Sequence, residues 1–395
     1  MSVAVAPVAD PINAEIEGNR LRLIETGPER LSVLLDFIDG ARCSLKFYYY
    51  VFESDDCGSQ IMDRLIAAVR RGIDVVLMVD SFGSSNAAPG FFDAFRKGGG
   101  RFGVFGNRRS TRYLIRNHQK IAIADDQRLI IGGFNLSDHY FGIPDDKAWR
   151  DIGLYMEGPG TAEAVRWFNA LQAWVMADKQ RFSTLRRMIR TWRPADGMFH
   201  FLIGGPVRRL SPWAQAVKHD LEKGRQVDMI QAYFSPSRGM LRRIERIGTH
   251  GKTRIITASR SDNSTTISAA RALYAALLKR GVRIYEYLPA KLHTKLIIID
   301  NIVYIGSANF DMRSLFINLE LVLRIEDAAF AEQMRAFVTR EIADCEEITL
   351  SLHRHRTGIF ARLLGWISYV MVSVIDYTVT RRLNFPARTW QDDDD

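Results

Sequence analysis

The chain has only three cysteines, Cys43, Cys57 and Cys345, and none lies in a CxxC pair or a Cys/His cluster. A disulfide scaffold and a thiolate metal site are therefore excluded as organising devices; reduced structural thiols fit a reducing compartment. Long apolar runs are missing too. The N-terminus, MSVAVAPVADPINAEIEG, has no basic region ahead of an apolar core, so no secretory signal is expected. No uncharged apolar run reaches the ~18 residues that a spanning helix needs. Acids are the minority charge: 45 Asp+Glu face 54 Lys+Arg, a net +9. That balance points to an anionic partner, whether nucleic acid, phosphorylated substrate or anionic membrane. Hydrophobic residues are 47% and charged residues 25%. This is ordinary globular usage, which excludes a disordered or collagen-like chain. At roughly 150 residues per domain, 395 residues suggest two or three units.

An internal repeat organises the length. KFYYYVFESDDCG, from position 46, is echoed by MIQAYFSPSRG, from position 229. DRLIAAVRRGIDVVLMVD (63–80) corresponds to RRIERIGTHGKTRIITAS (242–259), and AFRKGGGRFGVF (94–105) to ALLKRGVRIYEY (276–287). Apolar helix faces alternating with β-branched runs predict βαβ units and a mostly parallel sheet. The reading is an N-terminal extension (1–24), a first lobe (25–178), a basic linker (179–204), a second lobe (205–348) and a C-terminal segment (349–395). The linker start, KQRFSTLRRMIRTWRP, carries six basic residues and no acid, fitting either a solvated helix or a surface on anionic lipid.

The chemistry sits at the same place in both repeats. NHQKIAIADDQRLIIGGFN (117–135) and LHTKLIIIDNIVYIGSANFDMRS (292–314) each hold H-x-K-x4-D: His118, Lys120, Asp125 and His293, Lys295, Asp300. Each is followed by a Gly turn and an Asn, at Asn135 and at Asn309 behind Ser307. On a strand, residues i and i+2 share a face, so His and Lys project together. A polar pair leading an apolar strand belongs at a cleft, because burial without partners is costly. Lys neutralises phosphate charge, Asn and Ser can bind phosphoryl oxygens, and a histidine serves as nucleophile or general acid.

The doubled triplet resembles the signature of the phospholipase D superfamily over residues ~30 to 345. The resemblance implies two pseudo-twofold α/β/α lobes with mixed β-sheets and one active site at their interface. It implies that one histidine attacks phosphorus and makes a phosphohistidine, while the other protonates the leaving alcohol and then activates the incoming one. His118 is favoured as nucleophile and His293 as acid/base. Lys120, Lys295 and the phosphate-binding Asn135, Ser307 and Asn309 would carry the charge of the five-coordinate state. Asp125 and Asp300 complete the catalytic motif but are expected to hold structure through buried ion pairs. The Trp149-Arg150-Asp151 run resembles the family's W-R-D element, with Asp151 orienting His118. Asn318-Leu319-Glu320 resembles its N-x-E element, with Glu320 orienting His293. No metal and no cofactor is implied.

Within the superfamily, GSANFDMRS (306–314), YYYVFESDDCG, VVLMVDSFGS (75–84) and the run from Trp149 to Pro159 resemble bacterial cardiolipin synthases lacking N-terminal spanning helices. The implied substrates are phosphatidylglycerol, with phosphatidylethanolamine as a second candidate, met at an anionic membrane surface on the cytoplasmic side. Arg108, Arg109, Arg112 and Arg116, in a loop longer than its counterpart in the second repeat, are placed to recruit anionic headgroups beside His118. Leu363 to Ile375 is an uncharged run of 13 residues flanked by Arg and holding Trp366 and Tyr369, which reads as an interfacial or re-entrant helix, against a core helix packed on the lobes. The HRHR stretch at 353–356 reads as basic surface. A phospholipase D hydrolase, a nuclease of the same superfamily and a non-enzymatic lipid-binding remnant are the rival readings. A nucleic-acid partner is disfavoured for want of a separate motif.

Overall fold

A computed structural model describes residues 11–106, 115–144, 147–207, 210–261 and 264–371. The first lobe is an eight-stranded sheet of β1 (Asn13–Ile16), β2 (Asn19–Ile24), β3 (Ser44–Tyr49), β4 (Asp74–Asp80), β5 (Arg101–Phe105), β6 (Lys120–Ala124), β7 (Arg128–Gly132) and β8 (Gly153–Glu157). Its order is β1-β2-β8-β7-β6-β3-β4-β5. The second lobe holds β9 (Phe199–Gly204), β10 (Gln226–Gln231), β11 (Phe234–Ser235), β12 (Lys252–Ala258), β13 (Arg283–Tyr287), β14 (Lys295–Ile299), β15 (Ile302–Gly306), β16 (Phe310–Asp311), β17 (Glu320–Glu326) and β18 (Cys345–Ile348). Its large sheet runs β9-β17-β15-β14-β10-β12-β13-β18 when read in the direction that matches the first. The short pair β11–β16 stands apart from it.

Seven strands correspond, β2-β8-β7-β6-β3-β4-β5 with β9-β17-β15-β14-β10-β12-β13, which is the repeat seen in the sequence; β1 and β18 extend the two sheets at opposite edges. The sheets are mixed, as the resemblance implied, and not mostly parallel as periodicity alone predicted. In the two large sheets only β3-β4-β5 and β10-β12-β13 run parallel. The motif strands β6 and β14 return antiparallel to β3 and β10, then turn tightly into β7 and β15. Asp125 (φ 54°), Asp126 (φ 57°) and Asp300 (φ 46°) make those turns in the left-handed region that short polar side chains tolerate.

The lobe boundaries also move. β1 and β2 belong to the first sheet, so residues 13–24 are part of the lobe and not an extension to it. β9, placed in the linker by its sequence, is the edge strand of the second sheet and pairs with β17. The basic stretch forms the helix Phe182–Thr191, which buries Phe182, Leu185 and Ile189 in the core and turns its cations outward. One apolar core runs between the sheets and contains Ile121, Ile123 and Trp167 from the first lobe with Ile298, Val303 and Phe337 from the second. Separate apolar layers back each sheet on its outer side. The lobes are thus halves of one body, since separating them would expose this shared core to water.

The C-terminal helices Leu350–Arg356 and Ile359–Val370 pack on the helix Ser264–Lys279. His353 is buried beside Tyr274, so the HRHR stretch is not purely surface. No helix among the described residues is long and apolar enough to cross a membrane. Arg108, Arg109, Arg112 and residues 372–395 lie outside the described residues.

Candidate active site

Both histidines sit just ahead of β6 and β14, on extended segments that leave their own lobe to pair with the other. The His118 N–H donates to Leu319 O at 2.8 Å, and Leu319 N–H donates back to Arg116 O at 2.8 Å. The His293 N–H donates to Arg150 O at 2.7 Å, and Arg150 N–H to Lys291 O at 2.8 Å. These are the isolated parallel bridges Asn117–Leu319 and Arg150–Leu292. Each histidine is therefore carried beside the acid that follows Leu319 or Arg150 in the opposite lobe.

The expected acid assignments are exchanged as a result. Asp151 Oδ2 lies 2.6 Å from His293 Nδ1, and Glu320 Oε2 lies 3.2 Å from His118 Nδ1. Both carboxylates are fully buried. An acceptor at Nδ1 holds the imidazole in the tautomer that leaves Nε2 free to react. The sequence reading paired each acid with its own repeat because nothing in one dimension shows the crossing.

The surroundings of the two rings differ. His118 Nδ1 has a second acceptor, Ser307 O, at 3.1 Å. The Ser307 hydroxyl donates to Glu320 Oε2 at 2.5 Å, so its proton is committed to the carboxylate. Ser307 thus supports Glu320, a contact that competes with the phosphate-binding part expected from the sequence. Gly133 stands at the corresponding place in the first lobe. A Cβ there would lie 2.6 Å from Asp151 Oδ1 and 3.0 Å from Lys295 Cδ, so the missing side chain makes room for them. Asp151 Oδ1 instead accepts from Ile152 N–H at 2.8 Å.

Lys120 Nζ donates to His118 O at 2.6 Å and lies 5.1 Å from the Tyr50 ring centre. Lys295 Nζ lies 2.8 Å from His293 Nδ1 and also donates to His293 O. Asn309 Oδ1 is buried with no hydrogen-bond partner, a polar atom left for a ligand or water to satisfy. Asn135 is more committed: its Oδ1 accepts from Val51 N–H at 3.1 Å, and its Nδ2 donates to Tyr140 OH at 2.9 Å.

Asp125 and Asp300 stand at the far ends of β6 and β14, about 20 Å along the chain from the histidines at strand rise. Asp125 accepts from the N–H groups of Arg42, Cys43 and Ser44 and pairs with Arg128 at 2.8 Å. Asp300 accepts from Arg225 and Gln226 N–H. They pin the entry to β3 and β10. Backbone N–H groups hold them more than the buried ion pairs expected from the sequence.

Burial sets the protonation. It lowers the pKa of His293 to about 3, helped by Lys295 and opposed by Asp151. Burial and Lys120 lower that of His118, against Glu320. Burial also holds Lys120 well below the usual ammonium range. Burial alone would raise the Asp151 pKa, but Lys295 and His293 outweigh it and keep the carboxylate ionised. The site thus holds neutral imidazoles between two motif lysines and two carboxylates, with Lys120 poised to gain from a phosphodiester anion beside it.

Several site residues were missed by the sequence reading. Tyr140 and Trp149 wall His293 at ring distances of 5.1 and 5.3 Å, and Tyr50 stands 5.0 Å from His118. Arg30, buried in the helix Gly27–Asp39, donates to the carbonyls of Tyr140 and Asp151 and so ties down that wall. Arg150 pairs through two hydrogen bonds, 2.8 and 2.6 Å, with Glu341 of the other lobe. Aromatic residues near a histidine carry no periodic signal of their own; Trp149 and Tyr50 lay inside quoted segments, and Tyr140 did not.

Comparison with known proteins agrees with this geometry. The family model described as cardiolipin synthase, PLD-like domain, matches residues 34–171 and 217–341. Cardiolipin synthase A of Pseudomonas entomophila is 28% identical over 344 residues, covering 85% of this chain and 71% of that protein. Cardiolipin synthase B of Salmonella typhimurium is 26% identical over 360 residues, covering 86% and 85%. Among solved structures, the phosphatidylserine synthase of Haemophilus influenzae shares the fold, with a TM-score of 0.72 at 12% identity over 94% of this chain and 96% of that one.

Proposed function

Because the chain belongs to the cardiolipin synthase, PLD-like family, we propose that it is a phosphatidyltransferase that moves a phosphatidyl group from one phospholipid to phosphatidylglycerol through a phosphohistidine. The observation that supports this is the pair of histidines at one lobe interface, each backed by a buried carboxylate from the opposite lobe. The donor phosphate enters beside Lys120, Lys295 and Asn309. Its negative charge offsets the lysines and raises the histidine pKa values, which allows one ring to take up a proton. His118 Nε2 attacks phosphorus, the bond to the headgroup oxygen breaks, and protonated His293 gives that oxygen its proton. Neutral His293 then takes the proton of an incoming glycerol hydroxyl. That oxygen attacks phosphorus, and the P–N bond to His118 breaks with its electron pair returning to the ring. With phosphatidylglycerol as donor, the products are cardiolipin and glycerol.

A membrane surface is where such lipids are met. The helix Ile359–Val370 and the residue after it expose Leu364, Trp366, Ile367, Val370 and Met371. Tyr369 OH ties the helix to Pro236 O at 3.1 Å, next to the strand pair that adjoins Asn309. This supports a peripheral contact with a bilayer, the helix lying at the interface.

Incubating the protein with phosphatidylglycerol vesicles and analysing the lipids by mass spectrometry tests the reading. Cardiolipin, absent with His118→Ala and with His293→Ala, is the expected result. Phosphatidic acid alone would make the protein a hydrolase, and DNA cleavage without lipid turnover would make it a nuclease. Trapping of a phosphoryl-enzyme by His293→Ala but not by His118→Ala is expected from the assigned order.

A further inference from the structure

We infer that Lys291 and the face of Trp149 form a subsite for the phosphate of the acceptor lipid, outside the cradle that holds the reacting phosphorus. The inference rests on the phosphatidyltransferase reading above. An acceptor such as phosphatidylglycerol brings two demands to the site. Its hydroxyl must reach the acid/base histidine, and its own phosphate, one glycerol away, must be held without entering the position of the donor phosphate. A cation is therefore needed near His293 but not at it.

Lys291 is placed to meet that demand. It precedes His293 by two residues on the same extended segment, so both side chains leave the same face while Leu292 between them turns into the core. The segment is fixed by the bonds that join it to Arg150. Lys291 Nζ lies 5.4 Å from the centre of the Trp149 ring, and that ring lies 5.3 Å from the His293 ring. The indole thus spans the distance between ammonium and imidazole, a gap suited to a glycerophosphate arm. His139 stacks on the same indole, 5.6 Å away and 12° from parallel, and helps to hold it.

Lys291 is also uncommitted. It is exposed, and among the described residues no carboxylate pairs with it. A cation over an aromatic face keeps its N–H groups for an anion on the open side. The buried lysines of the motif differ, since both are spent on the histidine carbonyls.

The other histidine has a related neighbour: Arg116 also precedes His118 by two residues, and its guanidinium lies 4.2 Å from the Phe82 ring centre. The parallel indicates that each half of the cleft carries its own cation at the rim, one on the donor side and one on the acceptor side. A charge-assisted hydrogen bond contributes enough to make the acceptor contact worth at least about tenfold in affinity.

The test separates acceptor use from donor use. Full-length protein is given phosphatidylglycerol in mixed micelles, and cardiolipin and phosphatidic acid are quantified together. A second series supplies excess ethanol as a neutral acceptor. Lys291→Gln and Lys291→Glu should lower the ratio of cardiolipin to phosphatidic acid about tenfold or more, with the Glu variant lower, while phosphatidylethanol formation stays at the wild-type rate. Lys291→Arg should restore the ratio. An unchanged ratio in Lys291→Glu, with wild type making cardiolipin, would overturn the subsite alone. So would an equal fall in cardiolipin and phosphatidylethanol, which would mean damage to the shared machinery. A wild-type protein making no cardiolipin would overturn the parent reading and this subsite with it.

Discussion

His293 and His118 occupy equivalent places in the two lobes, yet their Nδ1 atoms meet different things. His293 has one oxygen acceptor, Asp151 Oδ2, at 2.6 Å, with Lys295 Nζ pressing on the same nitrogen at 2.8 Å. His118 has two acceptors, Glu320 Oε2 and Ser307 O, at 3.2 and 3.1 Å. The backbone that carries them is symmetric; the supports are not. In the proposed two-step transfer one histidine remains bound to phosphorus while the other passes protons, so the two rings face different work. A short bond to one carboxylate, opposed by a cation, suits a ring that must gain and lose a proton. Two weaker acceptors suit a ring that mainly has to present a lone pair in fixed orientation.

The sharpest way to break this comparison is to remove the acids one at a time. Asp151→Asn takes the sole acceptor from His293 and leaves Lys295 facing an imidazole free to choose the wrong tautomer. A fall of about 10³-fold in kcat is expected, within the range for a general acid–base contribution. Glu320→Gln leaves His118 its bond to Ser307 O, so a smaller fall, about 10- to 100-fold, should follow. Steady-state lipid turnover under one set of conditions decides it, and equal losses would mean that the two supports are interchangeable. Because both acids act across the lobe interface, a mixture of an Asp151→Asn chain with a His118→Ala chain should not recover activity in a monomer.

How far the sequence reveals this site depends on which part is asked for. The repeat, the two triplets and the paired acids are legible because they recur at fixed spacing. The exchange of the acids is not, because it depends on the bridges Asn117–Leu319 and Arg150–Leu292, which join segments 202 and 142 residues apart. The strands β2 and β9 were assigned outside the lobes for a related reason. NRLRLI and FHFLIG play the same part in the two sheets, but they share little identity, and a strand at or next to the sheet edge asks only for an apolar inward face. Asp125 and Asp300 were legible as motif members and not as turn residues, since a positive φ leaves no mark in sequence beyond a tolerance for Asp. The contact of Ser307 with Glu320 was not legible, because a hydroxyl beside a glycine suits a phosphate as well as it suits a buried carboxylate.

Gly133 offers a second test of the asymmetry. Making the lobes more alike by Gly133→Ser would put a Cβ 2.6 Å from Asp151 Oδ1. The carboxylate would have to move, and His293 would lose its bond. Activity should fall about 10²-fold, with the thermal midpoint lowered by a few degrees at most, since overpacking at one site costs about 1–3 kcal/mol. Gly133→Ser at near wild-type activity would show that Asp151 has room to spare.

Lys295 controls the charge of its histidine. The native pKa of His293, about 3, lies below the ordinary value of 6.5. Between those values the unfolded chain binds a proton that the native state refuses, so stability rises with pH there and is lost as pH falls. Lys295→Met removes a cation that depresses the ring while Asp151 remains to favour the imidazolium. The His293 titration, followed by NMR, should move upward, and the loss of stability on acidification from 6.5 should become shallower. His118, flanked by Lys120 and not bonded to Lys295, should move less. A downward shift of His293 would contradict the cause assigned to it.

The smallest effect should come from Ser307→Ala. Its hydroxyl donates to Glu320 Oε2, and Oε1 of the same carboxylate is buried without a partner. Losing the hydroxyl deprives an already under-satisfied carboxylate of one more donor, at a cost of about 1–3 kcal/mol. The backbone carbonyl of residue 307 survives the substitution and still accepts from His118 Nδ1, so the ring keeps its orientation. Stability should therefore drop while kcat falls by less than about tenfold, a split measured by denaturant titration beside lipid turnover. If Ser307 instead donated to the reacting phosphate, kcat would fall steeply with stability unchanged. The two outcomes thus separate a serine that serves the carboxylate from one that serves the substrate, at the position where the second lobe departs from Gly133 in the first.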